Sequence, residues 1–159
     1  MKKALLMIAL ALLATAFFAQ SSLYDLAYDA PLNDTVAGLK AKGFVETSRS
    51  DKSVFFDGGK DQELPVVKLY LNTDGQSISG WKLEYNLKDQ PDLAETILAS
   101  LEALHGEASV VADYDYDYIW YFADNKALYV TLYTGDSLTL DYTYGNWDDD
   151  DYYYYYDEY

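Results

Sequence analysis

Between two sets of segments with two-residue alternation lies one stretch of helical period, PDLAETILASLEALHG (residues 91–106), so this chain must lay a helix on a sheet. Pro91 suits the first turn, where a missing N–H removes no bond. Asp92 and Glu95 put negative charge at the positive end of the macrodipole, His105 falls in the last turn, and Gly106 offers a C-terminal stop. Leu93, Ile97, Leu101 and Leu104 recur at helical spacing, with Ala94 and Leu98 widening the stripe, while Glu95, Ala99 and Glu102 face away. A helix this short is marginal alone in water, so its stripe needs an apolar surface to cover.

Strand-like segments supply that surface. Residues 44–49, 53–57, 66–71 and 78–87 precede the helix, and residues 108–112, 116–122, 127–133 and 137–144 follow it. In residues 78–87, Trp81, Leu83, Tyr85 and Leu87 alternate with Lys82, Glu84 and Asn86, the pattern of a half-buried antiparallel strand. Leu128, Val130 and Leu132 alternate in the same way with Tyr129, Thr131 and Tyr133. Before the first strand, DTVAGLKAKG reads as a weaker helix capped by Asn33 or Asp34. Val36 and Leu39 share one side, Gly38 costs it about 1 kcal/mol relative to alanine, and Gly43 stops it ahead of Phe44.

The two halves lie over each other in kind: LKAKGF on LEALHG, SVFFD on YIWYF, VKLYLNTDG on LYVTLYTGD, WKLEY on LTLDY. This reads as a tandem αβββ(β) repeat, residues 32–89 and 90–145, preceded by a lead-in at 20–31. A unit of this size is marginal as an independent domain. The expected fold is therefore α+β and two-layered, one antiparallel sheet with both helices on one face. In element order, in LKAKGF/LEALHG and in its Trp- and Tyr-bearing strands, the chain resembles the beta-lactamase inhibitor protein family, a tandem helix-plus-sheet repeat. Each unit is similar to the outer-membrane lipoproteins called SmpA/OmlA. The lipobox of the one group and the disulfides of the other are absent, since the chain has no cysteine. The resemblance implies a binding module rather than a catalyst.

Residues 1–19 read as a cleaved signal peptide, with Lys2 and Lys3 ahead of an uncharged run from Ala4 to Phe18 and cleavage after Ala16 or Ala19. The run is shorter than a typical membrane span, so the mature protein is expected to be secreted or periplasmic, with no membrane span. The formal charge is −16, and removing both lysines makes it more negative still. Such a charge argues against nucleic acid and anionic lipid and favours basic partners or cations.

One histidine and no cysteine leave little for nucleophilic catalysis, and His105 at a helix end is expected to satisfy carbonyls and the dipole, so no catalytic residue is expected. Asp113, Asp115, Asp117 and Asp124 match part of a calcium loop, although Tyr118 stands where that loop needs glycine; the same residues also read as a strand edge. No other cofactor is expected. Tyr129 and Tyr133, opposite the core-facing leucines, are the expected protein-interaction residues, joined by Trp147, Tyr152 and Tyr154 of the terminal segment. Residues 146–159, with four consecutive aspartates and a tyrosine run, are expected to form a solvated acidic tail dispensable for folding. In the alternative, the tyrosines add an edge strand to the sheet, with Tyr152, Tyr154 and Tyr156 buried on one face.

Overall fold

Two-residue alternation becomes strand wherever the computed structural model describes it: residues 22–58, 64–88, 90, 92–111, 117–133 and 136–144. The strands are β1 (Val45–Arg49), β2 (Ser53–Asp57), β3 (Val66–Leu71), β4 (Ile78–Asn86), β5 (Val110–Val111), β6 (Tyr118–Phe122), β7 (Lys126–Tyr133) and β8 (Ser137–Tyr144). Helix α1 spans Leu32–Ala41 and α2 spans Leu93–His105. Among the described residues these strands make one sheet in the order β1-β2-β3-β4-β8-β7-β6-β5, with every neighbouring pair antiparallel. The chain is thus α+β, two helices on a sheet-dominated frame.

Register explains the core. Val54, Leu69, Trp81, Tyr142, Leu128 and Trp120 fall opposite one another across six strands, and Phe56, Val67, Leu83, Leu140, Val130 and Tyr118 form the next such row. All but Tyr118 are buried, and they join the buried residues of both helices in a single hydrophobic core. Both helices therefore cover one face. Trp81 stacks on Tyr142 with ring centroids 4.6 Å apart, and Tyr28 tilts against Trp81 at 4.7 Å.

Helix α1 buries Leu32, Val36 and Leu39. Pro31 holds its N-cap position without a side-chain bond, so neither Asn33 nor Asp34 caps it; both sit inside the first turn. Its other end closes as expected. Gly43 takes φ 98°, its N–H reaches the Lys40 carbonyl, and the Phe44 N–H reaches Leu39 while the Phe44 ring enters the core. Outside, Glu46 of β1 pairs with Lys40 at 2.9 Å and with Arg49 at 2.8 Å, which holds its carboxyl down to about 2.

Helix α2 buries Ile97 and Leu101, with Leu93, Ala94 and Leu98 partly buried against the same core. Leu104 departs from the expected stripe and is 43 % exposed. The helical period puts His105, four residues beyond Leu101, under the helix and leaves Leu104 on its flank. The carbonyl of Gly106 accepts from the indole N–H of Trp120 at 2.9 Å, tying the helix end to β6.

The lead-in belongs to this core although it lacks periodicity. Leu26 and Tyr28 are buried, and the Tyr28 hydroxyl donates to the carbonyls of Thr143 and Ala127 at 3.1 and 3.3 Å. Backbone bonds from Asp29 to Ile78 and from Ile78 to Ala30 run it beside the start of β4. The strand expected at 108–112 is shorter in the described residues, Val110–Val111, and no described helix is long and apolar enough to cross a membrane.

Candidate functional site

Strand pleating that buries one row exposes the next, and the interleaved row on the helix-free face differs sharply in chemistry. It runs Phe55, Lys68, Lys82, Asp141, Tyr129, Ile119 across β2, β3, β4, β8, β7 and β6. Lys68 and Lys82 are direct cross-strand partners. Like charges so placed destabilise a sheet by some tenths of a kcal/mol or more. Local contacts offset this: the Lys68 ammonium lies 4.8 Å from the Tyr70 ring centre and 5.4 Å from that of Phe55. Lys82 has Asp141 directly across the β4–β8 pairing.

Asp141 is the polar centre of this face. Burial pushes its carboxyl above the usual carboxylate range, opposed in part by Lys82, by a hydrogen bond from Tyr70 and by Lys68. Burial and then the Asp141 charge push the Tyr70 phenol up to about 12, so Tyr70 keeps its proton and donates. Asp141 Oδ1 and Thr143 Oγ1 are buried with no partner among the described residues. Gly80 makes the crowding possible. A Cβ there would stand 2.3 Å from the Tyr142 carbonyl oxygen and 3.4 Å from Tyr70 Cδ2. The Tyr70 ring therefore lies where a residue-80 side chain would begin, filling the gap left by glycine. Phe55, Val66, Lys68, Tyr70, Lys82 and Glu84 line a shallow depression of about 270 Å³.

Tyr129 and Tyr133 do project from the face opposite the leucines of β7, as the alternation implies. They differ in exposure. Tyr133 is 54 % exposed at the strand end, whereas Tyr129 is 6 % exposed. Tyr121, exposed on β6, shares this face through its pairing with Ala127. Trp147, Tyr152 and Tyr154 lie outside the described residues.

Of the four aspartates matched to a calcium loop, Asp113 and Asp115 also lie outside them. Asp117 accepts a hydrogen bond from the Leu132 N–H. Asp124 sits with Asn125 in the positive-φ turn between β6 and β7. The extended β6 separates the two by roughly 17 Å, so they do not come together round one ion. Among the described residues no group of three or more His, Cys, Asp or Glu side chains gathers into a metal site.

His105 sits 3.0 Å from the Tyr142 hydroxyl and tilts against Phe122, and burial lowers its pKa. Its partner is a phenol of the core rather than the helix-end carbonyls expected. Lys68, Tyr70 and Lys82 escaped sequence reasoning. Their alternation with Val67, Leu69, Trp81 and Leu83 is plain, but which strands pair is not. Comparison of the chain with protein-family models, curated protein sequences and solved structures finds no match.

Proposed function

We propose that this chain is an exported, non-enzymatic binding module that recognises another protein through the helix-free face of its sheet. One observation carries the reading: Phe55, Tyr70, Tyr121 and Tyr133 share, with Lys68 and Lys82, the face that no described helix covers. Aromatic rings bury much area for little entropy, and rigid strands hold them ready. The formal charge of −16 favours a partner with a basic surface at long range. Export is inferred from residues 1–19.

The duplicated architecture belongs to the same proposal. Each half contributes a helix and a meander, and the halves meet through their last strands, β4 and β8. That arrangement supports a tandem repeat related by an approximate two-fold axis at the β4–β8 seam.

Immobilised mature protein would be compared with a Tyr121→Ala, Tyr133→Ala, Lys82→Ala variant for capture from an envelope extract. A species held by the native chain and lost from the variant, with melting temperature unchanged, supports the reading. Equal capture by both refutes it. Calorimetric titration with Ca²⁺ forms the second arm, and a saturable heat would replace protein recognition with the cation reading.

A further inference from the structure

Charge is divided unequally between the two halves of the chain. Residues 32–89 carry nine acidic and eight basic side chains, whereas residues 90–145 carry ten acidic ones and a single lysine, Lys126, which is buried. The ion pairs follow the same division: among the described residues, Lys40–Glu46, Arg49–Glu46 and Lys42–Asp25 all engage the first half. Exposed aromatic surface gathers where the lysines are missing. Six of the eight large exposed apolar side chains among the described residues, including all three tyrosines, belong to the second half.

One sequence pattern recurs at both ends of β7. Tyr121-Phe122-Ala123-Asp124 leads into the strand, and Tyr133-Thr134-Gly135-Asp136 leads out of it. Tyr121 and Tyr133 are half-exposed on the helix-free face. Asp124 and Asp136 stand exposed in the turns that follow, the second held by a bond from the Asp136 N–H to the Tyr133 carbonyl at 2.9 Å. Among the described residues neither carboxylate has an ion-pair partner. Tyr121 lies opposite Ala127, six residues from Tyr133 along β7, so the two tyrosines are roughly 20 Å apart. A ring with a carboxylate one turn away suits a guanidinium or an ammonium, since the ring face attracts the cation and the carboxylate accepts its hydrogens.

Resting on the reading of this face as a protein-binding surface, we infer that its second half is the docking side and that the partner is a basic protein. One Arg or Lys of the partner sits at Tyr121 and Asp124 and another at Tyr133 and Asp136, about 20 Å apart. The nearly balanced first half adds little attraction, so the long-range field turns the second half toward such a partner before contact.

An octa-arginine peptide, about 26 Å long when extended, reaches both positions and serves as the probe. Its binding to the mature protein would be followed by calorimetry at low salt. Tyr121→Ala with Tyr133→Ala should weaken it about tenfold, the loss expected of two exposed cation–π contacts. Tyr121→Phe with Tyr133→Phe should keep the native affinity, because the ring face remains. Asp124→Asn with Asp136→Asn should also weaken binding about tenfold, whereas the charge-matched Asp34→Asn with Asp51→Asn, exposed in the first half, should change it less than about twofold. Equal weakening by the two aspartate pairs overturns the proposal, because attraction would then follow net charge alone. Native affinity in the tyrosine-to-alanine variant at an unchanged melting temperature overturns it as well, and so does a native chain that binds no peptide. Each of these results leaves capture of a protein by this face standing, so the two readings fail separately.

Discussion

Replacing Gly80 by alanine should destabilise the fold, and the sign alone is informative. In a site with room, glycine to alanine stabilises by about 0.4–1 kcal/mol, because the unfolded chain loses freedom. At Gly80 the new Cβ meets the Tyr142 backbone oxygen at 2.3 Å. Restoring ordinary contact requires β4 and β8 to part by roughly 1 Å at the seam between the two meanders, next to the fully buried Trp81–Tyr142 stack. Overpacking of this kind costs about 1–3 kcal/mol and a weakened ladder bond adds about 1 kcal/mol, which less the unfolded-state gain leaves a net near about 2.3 kcal/mol. At about 2.1 cal/mol/K for each of roughly 110 described residues, that lowers the melting temperature by about 10 °C. Gly38→Ala is the control. It lies exposed in α1 with nothing within 4 Å of its missing Cβ, and should stabilise by up to about 1 kcal/mol. Thermal unfolding of both variants decides the matter. A Gly80→Ala chain that melts at or above the native temperature would mean that β4 and β8 are not joined here as described.

Leu101→Ala removes a fully buried side chain from α2 and should cost about 2–5 kcal/mol in urea denaturation; a loss under about half a kcal/mol would mean that the helix stripe faces water. Trp120→Phe deletes the indole bond to Gly106 and should cost about 1 kcal/mol, read as a lower urea midpoint at unchanged slope; an unchanged midpoint would show that the bond does not hold the helix end. Burial makes the folded chain bind the His105 proton less readily than the unfolded chain does. The neutral ring's contribution is therefore complete above the ordinary value of 6.5 and is lost as pH falls through it. The melting temperature of the native chain should drop between about pH 7.5 and 5.5 relative to a His105→Gln variant, and parallel curves would refute this.

Local chemistry was the readable part of this fold. Alternation in residues 66–71 and 78–86 located β3 and β4 because a half-buried strand repeats every two residues, and Gly43 with Phe44 announced the end of α1. What depends on distant partners was not readable. Leu104 keeps the helical period yet lies on the flank, since only the placement of α2 on the sheet decides where the stripe is centred. The lead-in has no period because it adopts φ near +60° at Tyr24, Asp25 and Asp29, but tertiary packing still buries Tyr28. The candidate site shows the same division. Lys68, Lys82 and Asp141 are unremarkable polar alternates in three separate strands, and become one row only through the pairing of β3 with β4 and of β4 with β8.

The position of β8 sets the order in which the protein can assemble. The last described strand in sequence fills the middle of the sheet, between β4 and β7. A ribosome releases residues 22–88 first, and β4 then has one unpaired ladder edge flanked by Trp81, Leu83 and Tyr85. Hydrogen bonding across that edge spans more than fifty residues, since Trp81 pairs with Tyr142. Loop closure over such a separation is slow, and an open apolar edge is a template for any other strand. The nascent first half therefore keeps that edge open until its own C-terminal strand arrives. The β8 of a neighbouring chain offers the same ladder, which makes strand exchange between copies the characteristic misassembly of this topology.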